Sequence, residues 1–135
     1  MSHSLRNTPL KYDIMEGYKV KDYGQPVKRY CQTMDLRDNP ELIAEYKRRH
    51  SQVWPEIIEG IKAVGILDMQ IFLLGHRLMM IVDAPLDFQW DEAMSRLATL
   101  PRQQEWETYM SLFQDCSADA TSDEKWQMME RIFCL

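Results

Sequence analysis

The stretch MQIFLLGHRLMMIVD, Met69 to Asp83, holds two apolar runs, Met69 to Leu74 and Arg77 to Asp83, that meet at Gly75-His76. Glycine takes positive φ without a Cβ clash, so a Gly-x dipeptide between two such runs suits a type II′ turn. The runs read as a hairpin of antiparallel strands. Upstream, Val27 to Leu36 alternates, with Tyr30, Gln32 and Met34 on one side and Arg29, Cys31 and Thr33 on the other. That period of two predicts another strand. At the far end Arg131 to Leu135 (RIFCL) has the length of a closing strand.

Helical spacing fills the gaps between strands. Asp38 offers an N-cap before Pro40, and Glu41 complements the positive end of the helix dipole. Leu42, Ile43, Tyr46, His50, Val53, Trp54, Ile57, Ile58 and Ile61 then recur at helical intervals. Pro55 lacks an N–H and clashes one turn back, which predicts a break between Ser51 and Trp54. Gly65 is placed to end this region as a C′ residue. After the hairpin, Asp87 can cap a helix bearing Trp90, Ala93, Met94 and Leu97. Pro101 can open another, with Trp106, Tyr109, Met110 and Phe113 on one stripe.

The order is β-α-β-β-α-β, an α+β chain with the ferredoxin-like split βαβ arrangement, in which helices cover one face of an antiparallel sheet. An apolar second face needs a cover, and Cys31, Met80 and Val82 are assigned to it, predicting a homodimer. Residues 1–26, polar and aperiodic, read as an N-terminal extension that wraps the domain or stays mobile; 27–135 read as the domain. Gln114 to Asp123 (QDCSADATSD) reads as a loop.

Composition removes several classes of function. Of 135 residues, 16 are Lys or Arg and 21 are Asp or Glu, a net charge of −5 that argues against nucleic acid or an anionic membrane as partner. No apolar run approaches the roughly 20 residues of a membrane span, and the charged first thirty residues hold no signal-peptide core. Cys31, Cys116 and Cys134 are odd in number and widely spaced, so they read as reduced thiols of a cytoplasmic protein. Without H-E-x-x-H or clustered histidines no metal site is expected, and scattered glycines build no phosphate loop.

The chemistry centres on one histidine. His3 lies in the tail and His76 in a turn, but His50 falls on an apolar stripe, four residues after Tyr46 and four before Trp54. Side chains spaced by four share a helix face, so Tyr46, His50 and Trp54 project together. A buried imidazole needs a partner. Two readings stand: a structural histidine bonded to a hydroxyl or carbonyl, or a general acid/base tuned across neutrality. Lys47, Arg48 and Arg49 read as a solvated face, and Trp106 and Tyr109 read first as core. An aromatic beside a His-Tyr pair also fits a sugar, whose C–H face stacks on a ring while its hydroxyls find polar neighbours.

Glu45-Tyr46-Lys47-Arg48-Arg49-His50 followed by Val53-Trp54-Pro55-Glu56-Ile57 resembles the signature of the L-rhamnose mutarotase family. The likeness runs from about Lys28 to Leu135 through Gly65, Ile71-Phe72-Leu73, the Trp106 to Met110 segment and Phe133. It implies a dimeric α+β barrel that interconverts the anomers of a 6-deoxy-L-hexose without a cofactor, with His50 as proton donor and Tyr46 as a substrate-binding residue. Two positions depart from the family pattern. Trp106 is followed by Glu107 in place of a second tryptophan, and Met69 replaces a substrate-facing tyrosine. Tyr46, Met69, Trp106 and Glu107 are therefore the expected substrate contacts. L-Rhamnose is the first expectation and L-fucose the alternative. A non-catalytic sugar-binding dimer, and more distantly a small oxygenase of related architecture, are the readings from other classes.

Overall fold

The computed structural model describes residues 14–117 and 119–135, so expectations for residues 1–13, His3 included, lie outside the described residues. Strand β1 is Val27–Asp35, followed by helices α1 (Pro40–Arg49) and α2 (Pro55–Ala63). The hairpin is β2 (Asp68–Leu74) and β3 (Arg77–Pro85), after which come α3 (Trp90–Leu97), α4 (Gln103–Met110), α5 (Ser122–Lys125) and β4 (Gln127–Met128). The strands form an antiparallel sheet in the order β2-β3-β1-β4, so the chain is of the α+β class.

The break at Pro55 is present. His50 is the C-cap of α1, and α2 opens on Pro55 with Trp54 as its N-cap. Gly65, at φ +102°, turns the chain out of α2 and into β2, and Gly75, at φ +63°, makes the hairpin turn. Other boundaries moved. The cap of α1 is Asn39, whose side chain accepts from the Glu41 and Leu42 amides at 3.0 and 3.1 Å. A proline at the first helical position makes its immediate neighbour the cap, which excludes Asp38. Gln89 rather than Asp87 precedes α3, because Phe88 N–H closes a turn on Pro85. Pro101 lies in the turn before α4, which begins after Arg102 at φ +61°.

The register corrects the assignment of the sheet faces. Gln32 pairs with Met80 and Tyr30 with Val82, so both β3 residues share the face of Met34, under the helices. Val82 and Met80 are 0% and 6% exposed, members of the main core and no part of a second face. Cys31 does stand on the other face, opposite Ile81, with Thr33 opposite Met79. Part of that outer face is covered by the chain's own N-terminal segment. Tyr23 Oη donates to Asp83 at 2.5 Å, Lys21 pairs with Asp68 at 2.9 Å, and Tyr18 meets Phe72 edge-on. Asp83 also takes a bidentate grip from Arg29 at 2.7 and 2.9 Å, and the guanidinium holds its carboxyl below the usual carboxylate range.

The closing strand is not RIFCL. It is Gln127–Met128, paired with Thr33 and Gln32, and the Met129 amide adds one bond to the Cys31 carbonyl. Arg131 to Leu135 then continues outside the sheet with Ile132 89% and Phe133 76% exposed. A short apolar run marks a segment able to join a sheet, but it does not say which chain supplies the partner strand.

Candidate active site

Helix α1 carries the central pair. Its Asn39–Pro40 start and the Pro55 break fix its length, so that Tyr46 lies in its last turn and His50 caps it. Tyr46 is 3% exposed, while His50 is half-buried with its ring centroid 4.2 Å from that of Tyr46. His50 Nδ1 lies 2.9 Å from the Tyr46 carbonyl oxygen. A carbonyl only accepts, so Nδ1 carries the proton and Nε2 presents the lone pair. Burial pulls the His50 pKa below the ordinary histidine value and outweighs the opposing hydrogen bond to the carbonyl. The resting group is a neutral imidazole with an accepting Nε2.

Aromatic rings wall this imidazole. Trp106 stands edge-on to His50 at 5.7 Å, Trp54 edge-on to Trp106 at 5.1 Å, and Trp54 stacks parallel to Tyr109 at 5.9 Å. The guanidinium of Arg102 lies 4.0 Å from the Trp54 ring centroid. Arg102 is the only non-glycine with positive φ among the described residues. The left-handed conformation costs an L-residue roughly 1–2 kcal/mol, and a cation over an indole returns about 0.5–2 kcal/mol. The strain is thus spent where α4 begins, setting the helix that carries Trp106. On the solvated side of α1, Arg48 and Arg49 pair with Glu45, and Arg49 also lies 5.8 Å from the Tyr109 ring.

Gln114 reaches the other end of Tyr46. Its Nε2 donates to the Tyr46 hydroxyl at 3.4 Å, and its Oε1 is buried without a partner among the described residues. Burial holds the Tyr46 phenol protonated well above the usual tyrosine range. Tyr46 is thereby held at both ends, its carbonyl by His50 and its hydroxyl by Gln114. Glu107, next along α4 from Trp106, accepts from Lys125 Nζ at its carbonyl (2.6 Å) and at Oε1 (2.9 Å). It lines a groove of about 750 Å³ between α3, α4 and the segment of Ser117 and residues 119–123. A shallower depression of about 620 Å³ lies over Trp54, Thr108 and Tyr109. His50 lines neither hollow, but its contacts through Trp106 to Trp54 and Tyr109 connect it to the second.

Among the five expected site residues the structure joins His50, Tyr46 and Trp106 in one cluster and sets Glu107 beside them on α4. Met69 stands on β2 opposite Val82, half-buried against the core, and takes no part in the aromatic cluster. The sequence reading missed Gln114, Lys125 and Arg102. Gln114 continues the Trp106–Met110 stripe by a further four residues, which could have lifted it out of the assigned loop. Thr121 and Glu124 form a capping box, a sequence signature that marks the start of α5 within that same segment. Nothing in the sequence marks Lys125 as buried.

The L-rhamnose mutarotase family matches residues 29–135 of this chain. An L-fucose mutarotase of Xanthomonas campestris pv. campestris is 38% identical over 111 residues, covering 81% of this chain and 89% of the relative. An L-rhamnose mutarotase of Paraburkholderia xenovorans is 32% identical over 99 residues, covering 72% and 87%. In fold, the chain is similar to a solved L-rhamnose mutarotase from Formosa agariphila, with TM-score 0.61, 21% identity, and coverage of 80% of this chain and 98% of that one. Among the described residues no helix is long and apolar enough to cross a membrane.

Proposed function

The chain belongs to the L-rhamnose mutarotase family, a family of carbohydrate isomerases, and we propose that it interconverts the α and β anomers of a 6-deoxy-L-hexose with His50 as the proton-transfer group. The observation that carries this is the state of His50. Its Nδ1–H is committed to the Tyr46 carbonyl, its Nε2 accepts, and its pKa is held low by burial. A base of this kind is what ring opening requires. Nε2 takes the proton from the anomeric hydroxyl O1 as the C1–O5 bond breaks, and the imidazolium returns that proton to O5. O1 and O5 share the carbon C1, so one nitrogen can serve both. The open aldehyde rotates about C1–C2, and the same steps in reverse close the ring on the other face. Tyr46, kept protonated, serves as a hydrogen-bond donor to the sugar, while Trp106 offers an apolar wall.

On the identity of the sugar, L-fucose is favoured over L-rhamnose. Met69 and Glu107 depart from the rhamnose-type pattern, and the 38% identical relative is an L-fucose mutarotase. A site that gains a carboxylate and loses a phenol bonds a different set of hydroxyls. The βαββαβ strand order supports a ferredoxin-like half of a dimeric α+β barrel, and the free thiols of Cys31, Cys116 and Cys134 suit the cytoplasm. Support for the homodimer comes from the half-buried outer face around Cys31, Met79 and Ile81 and from the exposed Ile132 and Phe133.

Anomer exchange measured by magnetisation-transfer NMR on L-fucose and L-rhamnose tests the reading. Wild type accelerates exchange, faster for L-fucose, and His50→Ala loses about 10²–10⁴-fold, the usual contribution of a positioned acid/base. A folded wild-type protein that accelerates neither sugar overturns it.

A further inference from the structure

The Lys125 side chain is 0% exposed, and the mutarotase chemistry above gives it no task. An ammonium is costly to bury unless it is hydrogen-bonded and its charge is met. Both bonds recorded for it among the described residues go to one residue, the Glu107 carbonyl and the Glu107 carboxylate. Lys125 is also fixed from behind. The capping box of Thr121 and Glu124 closes the start of α5, Trp90 Nε1 donates to Asp123 at 2.9 Å, and Trp126 is buried directly after it. Glu107 is fixed from the other side by α4, one residue after the indole that meets His50. Its side chain keeps 22% exposure and lines the 750 Å³ groove. A flexible glutamate has thus been given one orientation by a buried strut. Lys125 takes Oε1, and Oε2, which has no hydrogen bond among the described residues, is left for a ligand hydroxyl.

We propose that Lys125 is a positioning residue for sugar recognition, holding the Glu107 carboxylate as a fixed acceptor for a hydroxyl of the 6-deoxy-L-hexose and so setting which hydroxyl stereochemistry is preferred. The proposal rests on the mutarotase reading and adds to it the device that makes Glu107 selective. A carboxylate held in place accepts a charge-assisted hydrogen bond, whereas a mobile one loses that gain to rotamer entropy.

The test compares wild type, Lys125→Met, Lys125→Arg, Glu107→Gln and the Lys125→Met/Glu107→Gln double variant, reading half-saturating sugar concentration and maximal exchange rate for L-fucose and L-rhamnose. Lys125→Met raises the half-saturating concentration of the preferred sugar by about tenfold, the worth of one hydrogen bond to a charged group, with the smaller share of the effect on maximal rate. It narrows the preference between the two sugars, and Lys125→Arg restores it. The double variant matches Glu107→Gln alone, because a residue acting through Glu107 has nothing further to lose. A purely structural lysine would lower thermal stability and leave the preference unchanged, which overturns the proposal, as do additive effects in the cycle. Should Lys125→Met fail to fold, Lys125→Gln carries the same expectations. A wild type without exchange activity sinks the mutarotase reading separately. Saturation-transfer binding of the same sugars then scores the lysine variants, and absence of binding overturns the proposal too.

Discussion

Replacing Tyr46 by Phe separates its two roles, because the structure assigns them to different atoms. The carbonyl that orients His50 belongs to the backbone and survives the change, so Nε2 keeps its lone pair. The hydroxyl disappears, and with it the 3.4 Å bond from Gln114, whose Oε1 already lacks a partner among the described residues. A buried amide then has neither end paired. An orphaned polar group costs about 1–3 kcal/mol. The bond lost here is long, and removing a hydroxyl that is itself buried offsets part of the cost. The expected loss is therefore about 1 kcal/mol, at the low end of that range. Urea denaturation at fixed protein concentration reads it, and Tyr46→Phe/Gln114→Met recovers most of it. For catalysis, a phenol that only donates a hydrogen bond is worth about 3–10-fold in exchange rate, far less than His50. Exchange abolished in Tyr46→Phe to the level of His50→Ala would refute the reasoning, making Tyr46 the proton-transfer group despite its raised pKa. A destabilisation that the double variant leaves in place would refute the packing half of it.

The lowered pKa of His50 gives a pH dependence of known sign. The unfolded state binds a proton near pH 6.5, the folded state only below that, so stability is full above 6.5 and is lost as pH falls toward the folded value. Exchange rate falls in the same direction as Nε2 becomes protonated, with its midpoint below 6.5, and His50→Gln removes this slope from thermal melts between pH 5 and 8. A midpoint above 6.5 contradicts the burial argument. The C-terminal segment gives a second expectation. Wild type elutes with a light-scattering mass of twice 16.1 kDa, and deletion of residues 131–135 shifts it to the monomer. An intact protein that is monomeric at high concentration removes the homodimer.

The sheet was legible where one chain supplied all the physics. Val27–Asp35 showed its period of two, the hairpin showed two apolar runs of strand length, and Gly75 at the turn had a conformational reason to be glycine. Face assignment failed on β3 because both of its faces are apolar. Met79 and Ile81 carry as much hydrophobicity outward as Met80 and Val82 carry inward, so only the pairing with β1 separates them. The closing strand failed for a related reason. Arg131 to Leu135 has the length of a strand and an apolar run, yet it lies outside the sheet of this chain with Ile132 and Phe133 exposed.

The site divided along the same line. Tyr46 and His50 were placed together by spacing alone, four residues apart at the end of α1, whereas Trp54 lies past that helix and joins them through Trp106. The residues that hold the Tyr46 hydroxyl and the Glu107 carboxylate come from far along the chain. Gln114 reaches Tyr46 across 68 positions, and Lys125 reaches Glu107 from a separate short helix. Hydrogen bonds of this kind leave no periodicity, because a glutamine or a lysine in a polar segment has the composition of a solvated surface until the fold removes its water. The division has a mechanistic consequence. The reactive imidazole is set by local geometry, by a carbonyl four residues away, and so it can stay the same while distant supports change. The Glu107 carboxylate depends on a long-range strut, and altering that strut redirects sugar preference without disturbing the base that opens the ring.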